Sequence, residues 1–428
     1  MGRDSVTRGS VDALGDGADH MRALHIHALA CPDHEEIDMG FHRLVLPIAL
    51  FAVVAAQPPQ GVAAQQLDAT ADLMRRLTEA PGPSAFEEAV RMIVVEEFDA
   101  LGADIAFDGL GSVHATLPGK GDGPRVMVTA HMDEVGLMVQ HITADGFIRV
   151  KNLGGFLGHA FPDQRWTIIG RDGPVMALSG LPTVHVTPSS QRTEVWSVDQ
   201  VFLDVGATSR EEVEAMGIRP GDGISPWSPF MVMPNGRYAA KGWDDRVGIA
   251  VMIAAARRIR SEGIDLPGDI VWVSTTQEEI GLRGAQVAVD MARPDIGISI
   301  EAGVSADYPG IRPTQAQERL GDGPGIFLLD SSMVPNRKFR DFFFDVARDE
   351  QLPLQADVLT GYGEDGAEIQ RYDTGRPAVN MTVPTRYLHS HTGIIQRSDF
   401  DQAVDLLIAV LLRLDGGTVQ DIASFDPR

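Results

Sequence analysis

The sequence predicts an α/β protein in which one domain is interrupted by a smaller β-rich one, and two observations carry that prediction. On both sides of the chain's middle, helical 3.6-residue periodicity alternates with short β-branched runs, the pattern of helices layered on a sheet. From about residue 137 to 237 the texture changes to short alternating runs broken by Gly and Pro, as in "GFIRVKNLGGF" and "GPVMALSGLPTVHV", which reads as an all-β unit. The expected organisation is therefore a domain built from 65–136 and 238–428, with 137–237 inserted into it. At 428 residues the chain is long enough for more than one core.

Taken in order, residues 1–38 show no apolar period and read as an extension outside the native fold. From Met39 the chain reads "MGFHRLVLPIALFAVVAAQPPQGVAAQQ": a short basic start, an apolar run from Leu44 to Ala56, and small residues suited to cleavage after Ala56 or Ala64. The run is short for a permanent membrane anchor. A signal peptide over 39–64 is expected, and with it a secreted or periplasmic protein; a cytoplasmic protein with a buried apolar N-terminal helix is the alternative. Residues 65–105 read as helical, with Phe86, Val90, Ile93, Val94 and Phe98 near a 3.6 period, Ser84 as a cap and Gly102 as a stop. A hairpin, "ADIAFDGLGSVHATLPG", and an apolar strand, "RVMVTAHMDEVGLMV", follow. After the β-rich insert, helix ("DDRVGIAVMIAAARRIRSEG") and strand ("DIVWVSTT", "DIGISI", "RPAVNMTV") alternate again up to the C-terminal helix "QAVDLLIAVLLRL".

The formal net charge of −24 argues against nucleic acid as a partner, because phosphate binding needs Lys/Arg patches that the chain lacks. A single cysteine, Cys31, rules out an intrachain disulfide framework.

The chemistry gathers at strand ends. "VMVTAHMD" ends at His131 and Asp133, "DIVWVSTTQEE" at Glu278 and Glu279, and "DIGISIE" at Glu301, while "VNMTVPTRYLHSH" carries His389 and His391 just past a strand. "KGWDDRVG" sets Asp244 and Asp245 at a helix start, where either acid could simply cap the helix, an effect of about 1 kcal/mol. In an open α/β sheet the crevice lies beyond the carboxyl ends of the strands, so these residues should converge. Imidazole with carboxylate and no thiolate suits zinc, cobalt or manganese. Two divalent ions about 3.5–4 Å apart demand a shared carboxylate, and Glu278, left off the metals, could then serve as a base.

The blocks "FDGLGSVHA", "AHMDEVGLMV", "KGWDDRVG", "TTQEEIGLRGA", "ADYPG", "LGDGPGI" and "VPTRYLHS", spread over about residues 68–415, resemble the glutamyl-aminopeptidase and tetrahedral (TET) aminopeptidase family of two-metal exopeptidases in peptidase clan MH, also described as endoglucanase-M-like. The resemblance implies a mixed-sheet zinc-exopeptidase (phosphorylase/hydrolase-like) fold and two divalent ions per subunit, zinc or cobalt. It implies His131 and His389 as terminal ligands, Asp244 as the bridge, Glu279 as a ligand, Glu278 as general base, and Asp133 as the acid orienting a ligand imidazole. Glu301 stands where the family has Asp. "GYGEDGA" replaces the family's Gly-Thr-Asp segment and keeps Asp365, which becomes a substrate-binding candidate. The insert corresponds to the family's dimerisation domain, so a homo-oligomer from dimer to dodecamer is expected.

The activity so implied is removal of N-terminal residues from peptides. A deacylase, dipeptidase or carboxypeptidase acting at the same bimetal site is the alternative. A glycosidase fits poorly, since it needs two carboxylates roughly 5–9.5 Å apart and no paired metals.

Overall fold

Val126–His131, Ile270–Thr275, Ile296–Val304 and Ala378–Arg386 are buried along almost their whole length, as strands covered on both faces must be. They pair in parallel, with Val126–His131 between Ile270–Thr275 and Ile296–Val304, and Ala378–Arg386 outermost. Around them, among the described residues, seven further strands complete an eleven-stranded mixed sheet, pairing antiparallel except for Gly325–Leu329 with Gln355–Val358. The computed structural model that shows this describes residues 67–121 and 123–426, all within the unit Val62–Arg428. The expected extension at 1–38, the signal peptide at 39–64 and Cys31 lie outside the described residues.

Alternation along the central strands feeds two helical layers. Val126, Val128 and Ala130 join the main core with Val247, Val251 and Leu407, from the helices Trp243–Glu262 and Arg397–Arg413. Met127, one residue out of phase, joins a smaller core with Ala288, Val289 and Ile369 from Arg283–Ala292 and Gly366–Arg371. No helix among the described residues is long and apolar enough to cross a membrane.

The expected helical region divides into Ala69–Glu79, capped by Asp68, and Glu88–Ala100, after which Gly102 turns at φ +72°. Ser84 does not cap the second helix. Its hydroxyl donates instead to Asp133 Oδ2 at 2.6 Å.

The inserted strands Gly136–Ile142, Ile148–Leu153, Gln164–Gly170, Gly173–Ser179, Phe202–Asp204 and Gly223–Pro226 close into a barrel filled by Leu137, Val139, Ile148, Trp166, Ile168, Leu203 and Ile224. The chain rejoins the large sheet sooner than the change of texture near 237 suggests. Met231–Met233 and Arg237–Ala240 form a hairpin whose second strand pairs with Gly393–Gln396, so alternating, turn-rich sequence there belongs to the main sheet's edge.

A buried ion pair ties the barrel to the sheet. Glu134, where the chain passes from one to the other, accepts from Lys241 Nζ at 2.7 and 2.9 Å, from Ser225 Oγ at 2.9 Å and from the Gly82 N–H at 3.2 Å. Burial pulls the Lys241 ammonium down to about 8 despite the Glu134 carboxylate beside it. Lys241→Met would leave the buried Glu134 carboxylate with only the more distant Arg246 guanidinium, 3.6 Å away, and should cost about 3 kcal/mol. Urea-denaturation midpoints check this, with Glu134→Gln/Lys241→Met expected to recover part of the loss.

Candidate metal centre

Pairing register explains why the candidate ligands meet. Thr275 pairs with His131, and Ser299 pairs with Thr129 on the other side, so Glu301 stands level with His131 two residues further on. The strand does not end at Glu301 as the sequence suggests; it runs to Val304. Its neighbour stops at His131, so the Glu301 side chain emerges at the lip of the crevice.

Beyond Thr275, Gln277 adopts φ +56° and breaks the strand. The following turn is closed by the Gly281 and Leu282 N–H groups on the Glu278 carbonyl at 2.8 and 2.9 Å. The Asp133 carboxylate fixes this turn, accepting the backbone N–H of Glu278 at 2.9 Å and of Glu279 at 3.2 Å. Neighbouring glutamates that a continuous strand would send to opposite faces thus both line one cleft.

Asp244 and Asp245 divide the two duties that their position allowed. Asp245 is the helix cap, accepting the Gly248 N–H at 3.0 Å and the His131 N–H at 3.3 Å. Asp244 faces the imidazoles: Oδ1 lies 3.1 Å from His131 Nε2, and Oδ2 lies 3.3 Å from His389 Nε2. Glu301 Oε2 is 3.8 Å from His131 Nε2, and Glu279 Oε2 is 3.4 Å from His389 Nε2. His131, Asp244 and Glu301 therefore form one ligand-type triad, and Asp244, Glu279 and His389 a second, with Asp244 common to both. His389 sits in a loop where it and Tyr387 both take left-handed backbone, at φ +53° and +60°. A non-glycine residue there costs about 1–2 kcal/mol, which the surrounding structure must hold in place.

The His131 ring is oriented by the Asp133 carbonyl, 2.9 Å from Nδ1, while the nearest carboxylate oxygen of Asp133 is 3.6 Å away. Asp133 thus orients the imidazole through its backbone, and its carboxylate holds the Glu278–Glu279 turn. An Nδ1–H bonded to that carbonyl leaves the Nε2 lone pair facing carboxylate oxygens, an arrangement that calls for a cation between them.

The electrostatics make the same demand. Burial and its neighbours push Glu279 up to about 8, and burial followed by repulsion from Glu301 pushes Asp365 up to about 7. Burial likewise raises Glu278, Glu301, Asp245 and Glu364. Asp244 and Asp133 are instead held below their ordinary range: the two imidazoles beside Asp244, and the His131 ring, Ser84 and the Glu278 N–H around Asp133, outweigh burial. Glu279 Oε1 is buried without a hydrogen-bond partner. A mixed imidazole and carboxylate set, crowded with negative charge and carrying an unpaired buried oxygen, fits divalent cations of the zinc or cobalt type.

Three sequence expectations are corrected or extended. Asp365 is not in the cleft: it is fully buried and accepts from Thr275 Oγ1 at 2.5 Å, while its neighbour Glu364 lines the cleft. His391 stands apart from both triads, packed edge-on against barrel Trp166 with ring centres 4.4 Å apart, and burial pulls it down to about 4. Tyr362, which carries no expectation from the sequence, places its hydroxyl 3.1 Å from Asp244 Oδ2 and 3.0 Å from the Ala302 carbonyl. Tyr362 and Glu364 both belong to "GYGEDGA", so the signal was the whole segment rather than its one aspartate.

The cleft has a volume of about 370 Å³ and is lined by His131, Asp244, Glu279 and His389 of the two triads, by Glu278, Tyr362 and Glu364, and by the small residues Gly281, Ser331, Ser332, Gly361 and Gly363. Comparison with known proteins agrees with this geometry. Residues 111–406 match the family of M42 glutamyl aminopeptidases. The lysyl aminopeptidase of Pyrococcus furiosus is 34% identical over 349 residues, spanning 80% of this chain and 97% of its own. The crystal structure of the TET aminopeptidase of a marine sediment Thaumarchaeota archaeon shares the fold with a TM-score of 0.80 at 37% identity, over 83% of this chain and 99% of that one. Pyrococcus horikoshii TET1 peptidase, which can assemble into a tetrahedron or a large octahedral shell, gives 0.73 at 26% identity, over 81% and 100%. A family match over most of the chain and a near-complete relative at this identity make the protein a member of the M42 glutamyl aminopeptidase family.

Proposed function

We propose that this chain removes N-terminal residues from peptides at a centre of two divalent ions, one held by His131, Asp244 and Glu301 and the other by Asp244, Glu279 and His389. The observation that carries the reading is the division of one carboxylate between two imidazoles, Asp244 Oδ1 toward His131 and Oδ2 toward His389. Zinc and cobalt match the donor set best.

When bound, the ions supply Lewis acidity toward the scissile carbonyl and an acidified water. The chain supplies the rest. Glu278 belongs to neither triad, lines the cleft, and lies with Oε2 3.8 Å from His131 Nε2. It takes a proton from the attacking water and returns it to the leaving nitrogen. The Asp133 carboxylate, held by Ser84 and by the turn's two N–H groups, keeps that base from drifting onto a metal position.

Exposed Leu157, Leu178, Leu181 and Val186 on the barrel and its loops support self-association through the insert, in line with the shells formed by TET1 peptidase. The leader-like run at 39–64 supports action outside the cytoplasm.

Mass spectrometry of a ten-residue peptide incubated with the metal-loaded protein tests the activity. Stepwise loss from the N-terminus is expected, abolished by chelator and by N-acetylation of the peptide. Loss from the C-terminus, or release of an N-acyl group, would replace the aminopeptidase by a carboxypeptidase or a deacylase.

A further inference from the structure

The cleft holds one carboxylate more than the proposed ligands and base require. Glu364 is 1% exposed, lines the cleft, and has its Oε1 buried with no hydrogen-bond partner. Its backbone N–H lies 3.2 Å from Ser332 Oγ, which anchors the segment on the wall opposite the glutamate turn. No Lys or Arg lines the cleft, and both imidazoles already face carboxylates, so the chain offers Glu364 no cation of its own. Its nearest acidic neighbour is Glu301, so the unpartnered Oε1 is left for a donor that enters with the substrate, and the charged donor common to all aminopeptidase substrates is the free α-amino group.

We propose that Glu364 receives the substrate's free α-amino group, making it the residue that restricts the cleft to unblocked chain ends. The inference rests on the aminopeptidase reading. An acceptor for a charged donor in a desolvated site contributes about 1.5–3 kcal/mol, which corresponds to a factor of at least about ten in binding.

The test uses the full-length, metal-loaded protein and two competitive inhibitors with one carbon skeleton, leucinol and 4-methylpentan-1-ol, which lacks the amine. Wild type should prefer leucinol at least about tenfold. Glu364→Gln should bring that preference below about threefold and raise KM for an aminoacyl anilide more than it lowers kcat, with metal content unchanged; Glu364→Asp should retain part of the preference. The proposal is overturned if wild type shows no preference, if Glu364→Gln keeps it, or if Glu364→Gln binds fewer ions, which would make Glu364 a ligand instead. A wild-type protein that cleaves no aminoacyl anilide overturns the aminopeptidase reading together with this inference. Normal turnover with an unchanged preference in the variant overturns the inference alone.

Discussion

Glu278→Gln is expected to bind two ions, to melt at the wild-type temperature, and to lose roughly 10²- to 10⁴-fold in kcat, the range that a positioned general base contributes. The exchange preserves shape and removes only the ability to take a proton. Nothing that positions the turn depends on the Glu278 carboxylate: its backbone N–H binds Asp133, and its carbonyl accepts from Gly281 and Leu282. Neither ligand triad contains it. Kinetics on samples of measured metal content check the outcome. A fully loaded variant with near-normal kcat would remove Glu278 from the chemistry and leave the cleft without a base in the right place.

Asp244→Asn should be the more damaging change to the metal centre. Asp244 is the one carboxylate shared by both triads, so the amide replaces one of its two acceptor oxygens with an N–H₂ group facing an imidazole. Metal content should fall from two ions to at most one, and kcat/KM by more than about 10³-fold, since both roles of a paired site depend on the bridge. The adjacent residue provides the control. Asp245→Ala removes the acceptor of both the Gly248 and the His131 N–H groups and should cost about 1–3 kcal/mol of stability for each donor left unpaired, while metal content stays at the wild-type level. If the two variants exchanged these effects, the assignment of bridge and cap within the pair would be reversed.

The adjacent acids show where sequence reasoning carries and where it stops. That the candidate ligands converge is legible in the sequence, because most of them follow apolar runs that end at one edge of a parallel sheet. Which of Asp244 and Asp245 faces the two imidazoles depends on two backbone torsions at the start of the helix, where both residues depart from helical geometry. The position of Glu301 depends on pairing with a strand about 170 residues earlier, and no local pattern records that Val126–His131 stops while Ile296–Val304 continues. The exchange of Asp365 for Glu364 has the same origin. Glu364 and Asp365 are adjacent and both acidic, and only the approach of Thr275 from the neighbouring layer decides which one is buried behind the wall. Ser84 differs from its expected capping role for a related reason: a serine before a helix looks the same whether its hydroxyl bonds the helix or a carboxylate 49 residues away. Local chemistry was readable throughout, whereas partners chosen by tertiary packing were not.

Anomalous diffraction at the metal's absorption edge, from crystals of the zinc- or cobalt-loaded protein, tests the centre most directly. Two peaks are predicted, roughly 3.5–4 Å apart, one contacted by His131 and Glu301, the other by His389 and Glu279, with an Asp244 oxygen on each and Glu278 on neither. A single peak, or a peak coordinated by Glu278, would contradict the two-metal account.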